Sequence, residues 1–143
     1  MSRPLKLVLI LIVVGGAAWL ALRWPRINDV ETGRTAEYPE LRPREYAAGE
    51  AAVAKAAHAA VAALPRWTFV AAGHGPGGTE LQAVARSRVF HFPDDITVRM
   101  RRLGARTTVS VRSHSRQGKW DFGQNARNIQ VFLAELDRRM SGS

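Results

Sequence analysis

Residues 96–113 read ITVRMRRLGARTTVSVRS, and the alternation of side chains in this stretch decides the predicted fold. Apolar and polar residues alternate on both sides of Gly104, which is the pattern of strands that bury one face. A glycine between two such runs indicates a tight hairpin. We therefore predict antiparallel strands over 96–103 and 106–113, with one apolar and one basic face. The apolar face holds Ile96, Val98, Met100, Val109 and Val111.

Two further strands are predicted before this hairpin, over 67–71 and 81–90, on either side of a glycine-rich turn at 72–79. The turn lacks the Gly-Lys-Ser/Thr ending of a phosphate-binding loop, so we interpret it as a simple connection. The basic sheet face is explained either as a solvated surface or as a surface that faces a membrane. Its arginines are Arg86, Arg88, Arg99, Arg101 and Arg112.

A helix is predicted on each side of these strands in the sequence. Residues 45–64 are rich in alanine and end at Pro65, which predicts a helix that packs closely on the sheet. A second helix is predicted from Asp121 to about residue 139, with Asp121 and Gln124 as a capping box. The predicted class is α+β: an N-terminal transmembrane helix followed by a small domain with an antiparallel sheet flanked by two helices.

The predicted membrane anchor covers residues 1–24, because residues 7–22 read LVLILIVVGGAAWLAL without a charge and basic residues flank them. A cleaved secretory signal is the alternative, since the small residues 15–18 resemble a processing site. Apolar residues resume after them, so we favour a retained anchor. We predict an extended tether over 25–44 and an α+β domain over 45–143.

Composition limits the partners and the chemistry. The 143 residues include no cysteine, which excludes disulfides, a thiol nucleophile and a lipidated cysteine. The net charge of +9 favours anionic partners. The short basic tail before the apolar segment favours a cytoplasmic amino terminus. The predicted location is therefore a bacterial inner membrane, crossed once, with the domain on the periplasmic side.

Residues 109–136, VSVRSHSRQGKWDFGQNARNIQVFLAEL, resemble the closing signature of an uncharacterised family, domain-of-unknown-function family 1499. Residues 38–41 and 92–95 agree with this family in order and spacing. Asn128 departs from it, since a basic residue is expected there. The resemblance implies a membrane-anchored or exported protein and no established activity. The matching residues are Arg112, Ser113, Ser115, Arg116, Gly118, Asp121, Gly123, Asn125 and Arg127.

Polar residues cluster where the predicted strands meet the last helix, and two interpretations are open. In the structural interpretation, Arg99 or Arg112 pairs with Asp94 or Asp95. The serines and Asp121 accept hydrogen bonds from backbone amides of the turn and of the helix terminus. This predicted structural network comprises Asp94, Asp95, Arg99, Asp121 and Asn125. In the functional one, the helix amino terminus and its neighbours bind phosphate or carboxylate. The predicted anion-binding residues are Arg112, Ser113, Ser115, Arg116 and Arg127.

No catalytic residue, metal site or cofactor is predicted. His114 lies between two serines, but neighbours on a strand point to opposite faces, which argues against a serine–histidine pair. His91 and His114 with Asp94 and Asp95 lack standard ligand spacing.

The sequence patterns do not specify a biochemical function. We predict a membrane-tethered, non-enzymatic envelope domain that binds an anionic group or an acidic partner surface. The predicted partners are the membrane with its acidic lipid head groups, or an acidic protein; nucleic acid is disfavoured because no recognised module or interleaved aromatics are present. The alternatives are a metal-dependent hydrolase that uses Asp94, Asp95 and Asp121, and a structural assembly protein.

Overall fold

The computed structural model describes residues 3–142. Met1, Ser2 and Ser143, which the predicted anchor and domain include, lie outside the described residues. Three helices and six strands follow one another along the chain. In order, they are α1 (Arg3–Leu22), β1 (Asp29–Glu31), β2 (Arg44–Tyr46), α2 (Glu50–Ala63), β3 (Trp67–Gly75), β4 (Gly78–Arg86), β5 (Pro93–Leu103), β6 (Arg106–Ser115) and α3 (Gln124–Ser141).

The strands form one antiparallel sheet in the order β1-β6-β5-β4-β3. The short strands β1 and β2 both pair with β6, one after the other along its length: Val30 faces Ser113, and Glu45 faces Thr108. The β5–β6 hairpin turns at Gly104, with Leu103 opposite Arg106. The sheet therefore has two ends, one with the β3–β4 and β5–β6 hairpins and one where the chain enters α3.

Helices α2 and α3 pack against each other and contact the strands of the sheet. The alanines of α2 let it lie close to the strands, and Ala57 and Ala60 are fully buried. Phe132 of α3 is fully buried, and its ring stacks on Trp67 with centroids 5.8 Å apart. The largest other core side chains are Leu81, Ile96, Met100, Ile129, Leu133 and Leu136.

The predicted α+β class, with an antiparallel sheet and two flanking helices, is confirmed. Several element bounds differ from the prediction. Helix α2 begins at Glu50 instead of residue 45, because Arg44–Tyr46 pairs with β6. Most of the predicted turn at 72–79 is strand, and the hairpin turn lies between Gly75 and Gly78. Gly78 has φ +104°, and a Cβ there would lie 2.2 Å from the Met100 carbonyl oxygen, so glycine is required.

The segment 25–44 is more than an extended tether, which corrects that prediction. It contributes β1 to the sheet, and Val30 and Leu41 belong to the buried core. The residues next to Val30 and Leu41 in the sequence are polar, so no apolar repeat predicted that these two side chains are buried. A strand of three residues on a sheet edge needs only one inward-pointing side chain, and Val30 supplies it.

Helix α1 is long and apolar enough to cross a membrane, with a mean hydropathy of 2.5, and none of its described residues is buried against the rest of the chain. Length and composition alone support this assignment. Trp24 and Arg26, just after α1, contact the α3 end of the domain: the Arg26 guanidinium lies 4.9 Å from the centre of the Trp120 ring. The chain therefore leaves α1 at the same end of the sheet at which α3 begins.

Candidate functional site

A buried polar network joins β5, β6 and the first turn of α3. On β6, the serines Ser113 and Ser115 point inward, whereas Arg112 and His114 are half-buried on the other face. This alternation is a property of any strand. It separates the predicted anion-binding residues of this strand, because Ser113 and Ser115 lie under α3 and Arg112 lies on the outer sheet face. The inward members are Asp94, Ser113, Ser115, Asn125 and Asn128, all of them buried.

Asn125 is the centre of this network and is fully buried. Its side-chain oxygen accepts a hydrogen bond from the Ser113 hydroxyl at 2.6 Å. Its side-chain nitrogen lies 2.7 Å from the Ser115 oxygen, 2.7 Å from an Asp121 carboxylate oxygen and 3.0 Å from the Asn28 carbonyl oxygen. One side chain thus joins β6, α3 and the segment before β1.

Asn128 connects the network to a buried acid. Its amide donates to Asp94 Oδ2 at 2.8 Å and to the Ser113 hydroxyl oxygen at 3.1 Å. Burial raises the pKa of the Asp94 carboxyl, and hydrogen bonds from Asn128 and Ser115 oppose this only in part. Asp94 is 3% exposed, and its hydrogen-bond donors are neutral, so its charged form is disfavoured.

We expect Asp94→Asn to stabilise the protein increasingly as pH rises. A raised carboxyl pKa means that the folded state holds the proton more tightly than the unfolded state, so this group stabilises the fold fully only below its unfolded pKa. That contribution is lost as pH rises through the folded pKa, whereas asparagine does not titrate. Thermal melting of both proteins from pH 4 to pH 8 measures the effect. A gap in melting temperature that stays constant, or that widens toward acid, would contradict it.

The ion pairs of the outer-face arginines differ from those predicted. Arg112 pairs bidentately with Asp29 of β1, with Nε 2.9 Å from Oδ1. Arg116 pairs bidentately with Asp95, with Nη2 2.7 Å from Oδ1. The hydrogen bond from Arg112 lowers the pKa of Asp29. The predicted pairing of Arg99 or Arg112 with Asp94 or Asp95 is therefore wrong, because Asp94 points inward and β1 brings Asp29 beside Arg112.

Arg99 likewise has other partners. It lies on the outer face of β5 and binds Glu31 of β1 at 3.3 Å and Glu80 of β4 at 3.2 Å. Such half-exposed pairs on a sheet surface stabilise by about 0–1 kcal/mol each. Arg99, Arg112 and Arg116 thus form ion pairs with carboxylates of this chain.

The start of α3 follows the predicted cap only in part. Asp121 accepts the backbone N–H of Gly123 at 2.8 Å and of Asn125 at 3.1 Å, as a capping carboxylate does. Gln124 does not complete a capping box, since its side chain contacts Asn128 and Arg127 instead. Gly123 has φ +76°, and a Cβ there would lie 2.6 Å from Trp24, so close packing of Trp24 requires glycine at this position.

A cavity of about 690 Å³ opens beside this network at the same end of the sheet. Two pairs of stacked rings line it: Phe90 on Phe92, with centroids 5.3 Å apart, and Trp120 on Phe122, with centroids 4.4 Å apart. This size and this aromatic lining are typical of small-molecule sites. We refer to it as the aromatic cavity. Its other lining residues are Ser87, Arg88, Val89, Asp94, Ser115, Gln117, Gly118, Asp121, Gln124 and Arg127.

Of the predicted anion-binding residues, Ser115 and Arg127 line the aromatic cavity; Arg112, Ser113 and Arg116 do not. Arg127 is exposed, donates to the Phe122 carbonyl oxygen at 3.1 Å and lies with its guanidinium 5.9 Å from the Trp24 ring centre. Of the predicted network, Asp94 and Asp121 line the cavity. The predicted residues are therefore divided among the outer face, the buried network and the cavity.

The family comparison fits this geometry. The family model described as "Protein of unknown function (DUF1499)" matches residues 20–136. The chain belongs to the DUF1499 family. The match includes β1 and the whole sheet, which agrees with the finding that Val30 is part of the domain core. No curated protein matches this chain in sequence.

The DUF1499 domain also contains cavity-lining residues that the sequence pattern did not predict. The rings at Phe90, Phe92 and Trp120 carried no periodic signal, and only the fold brings the β4–β5 loop beside the residues before α3. Asn128 is buried, and its side-chain amide donates a hydrogen bond to Asp94. Within residues 3–142 no group of three or more histidine or acidic side chains is placed to hold a metal ion.

Proposed function

We propose that this DUF1499 protein is a membrane-tethered, non-enzymatic domain that binds the phosphate groups of lipids at the membrane surface. The observation that carries the proposal is the position of the exposed β4–β5 loop. Its Val89 and Phe90 are 75% and 72% exposed, and they line the aromatic cavity together with Arg127. Arg127 in turn contacts Trp24, two residues after the end of α1.

The chemistry of this loop suits a lipid surface. Residues 86–92 read RSRVFHF, which places two arginines directly before exposed apolar side chains. Aromatic and aliphatic side chains partition into the head-group region, while nearby arginines attract phosphate. Arg88 and Lys119 are both exposed at this end of the domain. Each basic residue close to an acidic surface contributes about 1 kcal/mol.

The tether makes this contact effective. A domain held at a bilayer by α1 meets its lipids at a high local concentration, so weak individual contacts suffice. The proposed location is a bacterial inner membrane with the domain on the periplasmic side, in line with Arg3 and Lys6 at the amino-terminal end of α1. An acidic protein partner would use the same arginines, but the apolar loop favours lipid.

Labelling at position 89 tests this proposal. The chain has no cysteine, so Val89→Cys gives a single attachment site for an environment-sensitive fluorophore. In the full chain, reconstituted into vesicles that contain phosphatidylglycerol, we expect a blue-shifted signal that lipid-borne quenchers reduce. Ala105→Cys, on the hairpin at the opposite end of the sheet, serves as the control. A fluorophore at this position should show the emission expected in water.

The charge contribution is tested in the same labelled protein. We expect Arg88→Glu to reduce the blue shift, whereas Arg101→Glu makes the same charge change at an exposed position toward the other end of β5 and should leave it unchanged. Equal signals at positions 89 and 105 would overturn membrane contact. In cells, labelling of the cysteine at position 105 by a membrane-impermeant reagent that reaches only the periplasm tests the proposed side.

A further inference from the structure

The aromatic cavity combines charges of both signs. Two acids and two arginines line it: Asp94 and Asp121, and Arg88 and Arg127. No other charged side chain among the described residues lines this cavity. Two acidic and two basic groups suit a ligand that itself carries one charge of each sign, whereas a purely anionic ligand would be repelled by the acids.

The acidic and the basic side chains lie at different depths in the aromatic cavity. Asp94 is 3% exposed and Asp121 is partly buried, so the acids form the inner part of the cavity. Arg88 and Arg127 are exposed, so the arginines lie toward solvent. A ligand that enters this cavity therefore meets two guanidinium groups at its mouth and two carboxyl groups at its floor.

We propose that the aromatic cavity binds the head group of a phospholipid that carries an ammonium group, with the ammonium at the Asp94 and Asp121 floor and the phosphate at Arg88 and Arg127. In such a lipid the ammonium is the outermost group, the phosphate comes next, and the acyl chains follow. Entering ammonium first, the head group matches the order of charges from the floor to the mouth. The inference rests on the proposed function, because the acyl chains stay in the membrane.

The walls and the rim fit the same ligand. An ammonium near Phe and Trp rings is stabilised by cation–π attraction, which adds to its attraction to the carboxylates. The stacked pairs Phe90–Phe92 and Trp120–Phe122 supply these rings. Guanidinium groups bind phosphate through paired hydrogen bonds. Val89 lies exposed at the rim, where the first methylene groups of the acyl chains would pass.

Asp94 in particular lacks a cationic hydrogen-bond partner, and this distinguishes it from Asp95. Asp95 binds Arg116, whereas the Asp94 carboxylate receives hydrogen bonds from Asn128 and Ser115. A ligand ammonium beside Asp94 would supply a positive charge that favours the ionised form of this carboxyl.

Water-soluble head groups test the inference without interference from partitioning into lipid. The full chain is placed in nanodiscs of phosphatidylglycerol, which has no ammonium, and saturation-transfer NMR measures binding of glycerophosphoethanolamine, glycerophosphocholine and glycerol phosphate. We expect at least one ammonium-bearing compound to bind about tenfold more tightly than glycerol phosphate, as one charge-assisted contact provides. The comparison of ethanolamine with choline identifies the head group.

Variants locate the two charges of the ligand. We expect Asp94→Asn to abolish the preference for ammonium, because it removes an attraction for the ammonium compounds and a repulsion for glycerol phosphate. Arg88→Glu should weaken all three compounds, whereas Arg101→Glu should not. Equal binding of glycerol phosphate and the ammonium compounds by the unmodified protein, or no binding of any of them, would overturn the inference. Because these ligands are soluble, that result is independent of whether the loop contacts the bilayer.

Discussion

Phe132→Ala should lower the free energy of unfolding by about 3–5 kcal/mol, the range for aromatic truncation in a well-packed core. Phe132 is fully buried in α3, and its ring lies nearly parallel to Trp67, with centroids 5.8 Å apart. Truncation removes this stack and leaves a cavity between α3 and the sheet. Helices α2 and α3 contact each other here as well, so the surroundings have little freedom to collapse into the space.

Urea titration of the full chain in nanodiscs, followed by tryptophan fluorescence, measures the free energy of unfolding. Val131→Ala is the matched control, because Val131 precedes Phe132 on α3 and is 45% exposed. We expect that control to change stability by less than about 0.5 kcal/mol. A loss below about 1 kcal/mol for Phe132→Ala would mean that this core is looser than its burial indicates.

Asn125→Leu should lower the free energy of unfolding by about 2–4 kcal/mol, although leucine is larger and more apolar. The substitution removes the acceptor of the Ser113 hydroxyl and the donor to Ser115, Asp121 and the Asn28 carbonyl. Buried polar groups left without partners cost about 1–3 kcal/mol each, and several are affected together. The shape of leucine cannot restore any of these bonds.

The matched control is Gln130→Leu on the same helix, where the amide is exposed and the substitution should be nearly neutral. A double-mutant cycle with Ser113→Ala measures the coupling within the network. If Asn125→Leu behaved like Gln130→Leu, the network would contribute no stability, and its polar residues would need another explanation. If the two effects in the cycle were additive, the Ser113–Asn125 bond would not be energetically coupled.

These variants separate the effect of the buried network on stability from the binding of a ligand in the aromatic cavity. Ser113 of β6 and Asn125 of α3 are buried between the sheet and the helix and do not line the cavity, whereas Asp94 belongs to both the network and the cavity. Substitutions at Arg88 are expected to affect binding alone, since Arg88 is exposed. A binding loss at Arg88 with unchanged stability would therefore report the ligand and not the fold.

Local patterns were sufficient for the central part of the fold. The alternation around Gly104 predicted β5 and β6 and which of their side chains point inward, because the period of a strand is set by its backbone. The same rule predicted that His114 would not lie with Ser113 and Ser115. The spacing of apolar residues predicted α3, since a helix repeats every 3.6 residues and one face must be buried.

Partners far apart in sequence could not be assigned in this way. Arg112 binds Asp29, which is 83 positions away, because β1 pairs with β6 at that point. A sequence shows that an arginine and several carboxylates are present, but only strand pairing decides which two meet. Val30 is part of the core for the same reason, and Leu41 joins the core from the loop between β1 and β2, without any periodicity around either residue.

The sequence by itself determined the α+β class, the apolar segment at the amino terminus, the inward and outward faces of β5 and β6, and membership of an uncharacterised family. The first three of these depend on composition and on periods of two and 3.6 residues, which are local, and the family resemblance depends on the run of matching residues in 109–136. Only the tertiary structure decided that the serines are buried beneath Asn125, that Arg112 and Arg116 are paired with carboxylates of this chain, and that an aromatic cavity lies where the chain leaves α1. Such features arise from contacts between distant segments, whose geometry is fixed by packing and strand pairing and not by any local pattern of residues.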